Sequence, residues 1–97
     1  MTARRSILII DDERGTREAM GKFLRLDYDI TLAEDGEKGI NLLNRNHYDL
    51  ILSDIRMEPG PSGLDVLAAS LKLSPPPPCI LFTAYGSIET AVEAVKQ

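Results

Sequence analysis

The chain has 97 residues, of which 43% are hydrophobic, and this size allows one compact domain and excludes a second. Its 15 acidic residues outnumber the 11 basic ones, the formal charge is −4, and the scattered basic residues exclude the basic stripe of a nucleic-acid-binding surface. A single cysteine excludes an internal disulfide, and no apolar run approaches the roughly 20 residues that span a bilayer. We therefore expect a cytoplasmic protein with no direct nucleic-acid partner and no membrane partner.

Strand and helix patterns alternate along the chain. Short apolar runs predict strands, and apolar residues at helical spacing predict helices. The third helix, for example, has Leu64, Leu67, Ala68 and Leu71 on one face. The predicted order is a strand at 6–10, a helix at 16–26, a strand at 28–32, a helix at 37–45, a strand at 48–53, a helix from 64, a strand at 79–83 and a helix capped by Ser87. This alternation predicts an α/β domain with a parallel sheet.

Carboxylates follow two of the predicted strands. Asp11 and Asp12 come directly after the first strand, and Asp54 comes after the third. Ligands of open parallel sheets bind beyond the carboxyl ends of the strands. If strands one and three are neighbours, with strand two on the far side of strand one, the three aspartates share one crevice.

An acidic crevice of this kind has two interpretations. Two carboxylates 4 Å apart repel by about 4 kcal/mol at an effective dielectric near 20, so three together must take up protons or hold a cation. Mg²⁺ suits such a site because it prefers oxygen ligands. Alternatively, Asp11, Asp12 and Glu13 cap the following helix, and Asp54 begins a turn.

Four motifs occur in a fixed order: "ILIIDDE" at the first strand, "DLILSDIRM" across the third, "GLDVL" opening the third helix and "LFTAYGS" at the fourth strand. With these motifs the whole sequence resembles the receiver domain of two-component response regulators. The tail "TAYGSIETAVEAVKQ" is most similar to receivers of enhancer-binding transcriptional activators. The resemblance implies a flavodoxin-like, doubly wound parallel sheet, here one receiver domain over 1–97, shortened at its C-terminus to about four strands and four helices.

The same resemblance implies a function and a set of site residues. A receiver accepts a phosphoryl group from a sensor histidine kinase in a Mg²⁺-dependent step and then switches a partner or output surface. It is not an enzyme in the usual sense, because it catalyses at most its own phosphorylation and dephosphorylation. The resemblance implies Asp54 as the phosphorylated residue, Asp12, Asp54 and the backbone carbonyl of Arg56 as direct metal ligands, Asp11 as a ligand through water, and Thr83 and Ala84 as phosphoryl-binding switch residues.

The sequence departs from the family pattern in two places. Glu58 stands where the family usually has proline, and Gly63 lies nine positions beyond Asp54, so this loop is one residue longer. No residue of the chain matches the family's catalytic lysine, which follows a fifth strand. With a fifth strand and helix missing, strand four would be an exposed apolar edge, and we expect a homodimer or a strand-exchanged oligomer.

Two other functions remain as alternatives. The first is an association or dimerisation module that retains the acidic metal site but has impaired phospho-switching. The second is a Mg²⁺-dependent phosphatase with Asp54 as nucleophile. It is disfavoured because Arg56 stands where a second carboxylate would act as acid or base.

Overall fold

The computed structural model describes residues 4–83, and residues 1–3 and 84–97 lie outside the described part. Seven elements alternate between strand and helix, as the sequence predicts. The predicted helix capped by Ser87 lies outside the described residues. The elements are β1 (Ser6–Ile10), α1 (Arg14–Leu24), β2 (Asp29–Ala33), α2 (Gly36–Arg45), β3 (Leu50–Asp54), α3 (Gly63–Leu71) and β4 (Cys79–Phe82).

The four strands form a parallel sheet in the order β2-β1-β3-β4. This order confirms that strands one and three are neighbours and that strand two lies on the far side of strand one. In the register, Ile10 at the end of β1 is paired with Ala33 of β2 and with Ser53 of β3. The strands therefore end almost level, and the residues that follow them share one edge of the sheet.

The core lies between the sheet and helices α2 and α3. All four apolar residues of β1 are buried, as expected for a strand with neighbours on both sides. Met57 belongs to this core, although it lies in the loop after β3. The buried core cluster consists of Leu8, Ile10, Ala33, Leu43, Tyr48, Ile51, Met57 and Val66.

Side-chain caps set where the helices begin. The carboxylate of Glu13 accepts hydrogen bonds from the backbone N–H groups of Gly15 at 3.0 Å and Thr16 at 2.6 Å. Helix α1 therefore begins at Arg14, two residues before the predicted start. The capping interpretation is correct for Glu13, whereas Asp11 lies in the site described below.

The buried face of α3 is not the leucine-rich face. Leu71 is 57% exposed and Ala68 is also exposed, whereas Val66 and Ser70 are fully buried. The Ser70 hydroxyl donates to the Leu67 carbonyl at 2.7 Å, so this polar side chain is satisfied within its own helix. Because the hydroxyl needs no distant partner, the serine can face the core.

Helix α1 also leaves apolar side chains in solvent. Phe23 is 73% exposed, and Leu26 just beyond the helix is exposed as well. Together with Ala19 and Lys22 they line a shallow groove on the outer side of the helix. No helix within residues 4–83 is long and apolar enough to cross a membrane.

Candidate metal centre

Three aspartates meet at the carboxyl edge of the sheet. Asp54 is the last residue of β3, and Asp11 and Asp12 directly follow β1. Each side chain offers a carboxylate oxygen, and these three oxygens all lie within 4.8 Å of one another. Asp11 and Asp54 are buried, with exposed fractions of 1% and 8%, while Asp12 is exposed. Adjacent strands therefore bring together carboxylates that are 42 residues apart in the chain.

Backbone groups hold the two buried carboxylates in place. The Asp11 N–H donates to the Ala33 carbonyl at 3.2 Å and continues the pairing of β1 with β2. Its Oδ1 atom accepts from the Glu13 N–H at 2.9 Å, and Asp54 Oδ1 accepts from the Arg56 N–H at 3.2 Å. A carboxylate has room for about four hydrogen bonds or ligands, so both side chains keep acceptor capacity for a further group.

The cluster is electrostatically unfavourable when it holds no cation. Burial raises the pKa of Asp11 to about 6, the Glu13 N–H lowers it, and the neighbouring Asp54 carboxylate raises it again. A group of negative charges in this position favours either a bound proton or a bound cation. Three carboxylates with hard oxygen donors fit Mg²⁺, which binds one or two carboxylates and keeps several waters.

A cavity of about 350 Å³ opens beside Asp12. It is bordered mostly by acidic side chains and contains one basic group, Arg17. The guanidinium Nη1 atom of Arg17 donates to the backbone carbonyl of Asp11 at 2.8 Å. The lining residues are Asp12, Arg17, Glu34, Asp35, Met57, Glu58 and Pro59. Glu58, which departs from the family pattern, thus borders the same cavity as Asp12.

Glycines allow the loop after Asp54 to return to α3. A side chain at Gly63 would collide with the Asp54 carbonyl and with the Ile55 backbone. The Gly63 N–H instead donates to the Ile55 carbonyl at 2.9 Å, which fixes the start of α3 against the end of β3. Gly60 has φ +106°, a conformation that favours glycine, within the lengthened loop.

The other predicted site residues are placed as follows. Thr83 directly follows β4, whose last residue Phe82 is paired with Asp54, so Thr83 comes at the same edge of the sheet. Arg56 lies two residues beyond Asp54 and its side chain is exposed. Ala84 lies outside the described residues. Sequence reasoning missed Arg17, whose only signal is a basic residue near the start of a helix that follows an acidic run.

The family model of the response regulator receiver domain matches residues 7–97. The chain belongs to this family. The match includes most of β1, all of β3 and all three clustered aspartates, and it confirms the family that the sequence motifs indicate. Among curated proteins, the chain is 38% identical to the transcriptional regulatory protein GlrR of Escherichia coli strain K12 over 92 residues. That alignment covers 94% of this chain and 20% of the relative, so the chain spans about a fifth of the length of the curated relatives it matches.

Solved structures agree with the fold. A CheY-like receiver domain protein from Methanospirillum hungatei superimposes with a TM-score of 0.86 at 26% identity, over 97% of this chain and 75% of that one. A response regulator from Burkholderia pseudomallei, crystallised with a phosphorylated aspartic acid, a calcium ion and citrate, gives a TM-score of 0.82 at 29% identity. This second match covers 95% of this chain and 54% of that one. The four-stranded parallel sheet described above is thus the sheet of a receiver fold, as predicted.

Proposed function

We propose that this receiver domain accepts a phosphoryl group on Asp54 from a sensor histidine kinase in a Mg²⁺-dependent step. The observation that carries this proposal is the convergence of Asp11, Asp12 and Asp54 at one edge of the sheet. Phosphorylation of the cluster would then change a surface that a partner or an output region recognises. The response regulator from Burkholderia pseudomallei supports the analogy, since it has a phosphorylated aspartic acid and a divalent ion.

The chemistry follows from the charges. An Asp54 carboxylate oxygen attacks phosphorus, a P–O bond forms, and the P–N bond of a kinase phosphohistidine breaks. A bound Mg²⁺ would supply positive charge to the phosphoryl oxygens and to the surrounding carboxylates. Asp12, Asp54 and the Arg56 carbonyl are the proposed direct ligands, and Asp11 is the proposed ligand through water.

The proposed switch contacts come from the end of β4. The hydroxyl of Thr83 and the backbone amide of Ala84 would donate to the phosphoryl oxygens. Such contacts exist only in the phosphorylated state, so they can shift the equilibrium between two arrangements of the segment that follows β4. The chain would catalyse only its own modification and would act in the cytoplasm with the kinase and a transcriptional output as partners.

Intact-mass measurement after incubation with acetyl phosphate tests the proposal. We expect a mass increase of one phosphoryl group in the presence of Mg²⁺, and no increase after chelation or in Asp54→Asn. Asp49→Asn is the matched control, because Asp49 directly precedes β3 and Asp54 ends it. Modification that persists in Asp54→Asn, or that needs no divalent ion, would contradict the proposed function.

The alternative is a self-association module with an impaired phospho-switch. The position of β4 favours it: within residues 4–83, β4 lies at one of the two edges of the sheet, and its Ile80 side chain is 53% exposed. A mostly apolar groove beside the sheet is lined in part by Ile7, Leu24 and Leu52. Sheet edges of this kind pair with other chains. A homodimer or strand-exchanged oligomer in sedimentation, combined with no phosphorylation by acetyl phosphate, would favour this alternative.

A further inference from the structure

Arg17, in the second turn of α1, is tied to the backbone of the metal centre. Its Nη1 atom donates to the Asp11 carbonyl at 2.8 Å, in a partly buried bond between residues six positions apart. The Asp11 N–H is held by Ala33, and its side chain accepts from the Glu13 N–H. Arg17 therefore restrains the third polar group of Asp11, the backbone carbonyl, at the point where the chain leaves β1.

Within residues 4–83 the guanidinium of Arg17 forms no ion pair, and its charge is a minor cause of the lowered pKa of Glu13. Arg17 borders the cavity together with Asp12, Glu34 and Glu58. Even so, no carboxylate of residues 4–83 lies within 4.0 Å of its guanidinium nitrogens. The guanidinium contacts a backbone carbonyl instead. This geometry suits a group that holds the main chain in position rather than one that neutralises an acid.

We propose that Arg17 is a positioning residue for the metal centre, an inference that rests on the proposed function. The turn after β1 contains Asp11 and Asp12, whose negative charges repel each other and Asp54. Asp12 is exposed, and within residues 4–83 its side chain makes no hydrogen bond or ion pair, so the backbone of this turn keeps its carboxylate near the other two. A hydrogen bond from a charged donor is stronger than a neutral one, and the bond from Arg17 holds that backbone in place.

Positioning and charge make opposite predictions for the removal of Arg17. If Arg17 acted only as a positive charge, its loss would tighten Mg²⁺ binding, because one repulsive charge would leave the cavity. If Arg17 holds the turn, its loss weakens Mg²⁺ binding. Groups that orient the ligands of a metal typically change its affinity by about 10- to 100-fold when they are mutated. The sign of the change therefore separates the two roles.

Calorimetric titration of the chain with Mg²⁺ measures this sign. We expect Arg17→Met to bind Mg²⁺ about 10-fold more weakly than wild type, Arg17→Gln to show the same sign, and Arg17→Lys to recover most of the affinity. Arg14→Met is the matched control, since it removes one positive charge from the same helix. The Arg14 side chain is 80% exposed and is paired with Glu18 at 3.0 Å, away from the cavity. We expect Arg14→Met to bind Mg²⁺ as wild type does.

Hydrogen exchange gives a second measurement that needs no metal. In Arg17→Met the amide of Glu13, which is bound to Asp11 Oδ1, should exchange faster than in wild type and in Arg14→Met. Unchanged or tighter Mg²⁺ binding by folded Arg17→Met or Arg17→Gln would overturn the positioning role and leave the proposed function standing. A wild-type chain that binds no Mg²⁺ would overturn the proposed function itself.

Discussion

Aspartates at the two edges of the sheet, the edge where the strands begin and the edge where they end, have pKa values shifted in opposite directions. At the amino edge, Asp49 accepts a hydrogen bond from the Ser6 N–H at 2.8 Å, and its Oδ1 atom lies 3.3 Å from His47 Nε2. The hydrogen bond from the Ser6 N–H is the largest cause of the lowered pKa of Asp49. At the carboxyl edge, burial raises the pKa of Asp11 to about 6, and the nearby Asp54 carboxylate adds to the effect.

The difference shows at which edge neighbouring protein groups stabilise the negative charge of the aspartate. Both aspartates flank central strands, and both accept a backbone hydrogen bond. Asp49 has a hydrogen-bond donor and a basic ring as neighbours, whereas Asp11 is buried among other carboxylates. The amino edge therefore stabilises the fold, while the carboxyl edge, within residues 4–83, leaves a repulsion that a bound proton or cation would relieve.

Added Mg²⁺ should stabilise the chain through the carboxyl edge, and this is the largest expected effect. A ligand at 100 times its Kd adds about 2.7 kcal/mol to the free energy of unfolding. For a domain of this size, each 1 kcal/mol raises Tm by about 4–8 °C. Thermal unfolding followed by circular dichroism measures the shift. Asp12→Asn should lose most of it, Asp49→Asn should keep it, and an equal shift in the two variants would contradict the assignment.

Without Mg²⁺, the change in the free energy of unfolding with pH should be the second largest effect. The folded pKa of Asp11, about 6, lies above the ordinary aspartate value of 3.8, so the folded state binds more protons between these values. Stability should therefore rise as the pH falls from 7 to 5, by about 1 kcal/mol after allowance for solvent screening. Urea titrations at several pH values test this. Asp11→Asn should flatten the profile, and a wild-type profile that falls from pH 7 to 5 would contradict it.

Asp49→Asn should have a smaller effect of the opposite sign. At pH 7 without Mg²⁺, Asp11→Asn should raise the midpoint of urea unfolding because it removes a repelled charge. Asp49→Asn should lower that midpoint slightly, because it weakens the bond to the Ser6 N–H and the contact with His47. The difference between Asp49→Asn and wild type should shrink as the pH falls below the ordinary aspartate pKa of 3.8, and it should vanish once the pH falls through the lowered pKa of folded Asp49. A stabilising Asp49→Asn would show that the two edges do not differ in the way described.

The sequence predicts the meeting of the aspartates better than it predicts the groups around them. The meeting of Asp11, Asp12 and Asp54 follows from the sequence if strands one and three are neighbours, because parallel strands end at a common edge, and the observed strand order meets that condition. The contact of Arg17 with Asp11 could not be predicted, because it depends on the start of α1. Glu13 caps that helix two residues earlier than the apolar spacing suggests.

The burial of α3 departs from its apolar spacing for a related reason. Apolar spacing favoured a face with Leu71, but the helix buries Ser70 instead, whose hydroxyl is bound to the Leu67 carbonyl. Close packing of Gly63 on the end of β3 fixes where the helix starts. Neither the local hydroxyl bond nor the backbone approach is visible in a count of apolar residues.

The most direct test of the metal centre is a crystal structure of the chain grown with Mg²⁺. We expect one ion at the carboxyl edge, with the Asp12 and Asp54 carboxylates and the Arg56 carbonyl at about 2.0–2.1 Å and Asp11 bound to one of its waters. An ion held instead by Glu34, Asp35 or Glu58, or a well-ordered carboxyl edge with no ion at saturating Mg²⁺, would contradict it.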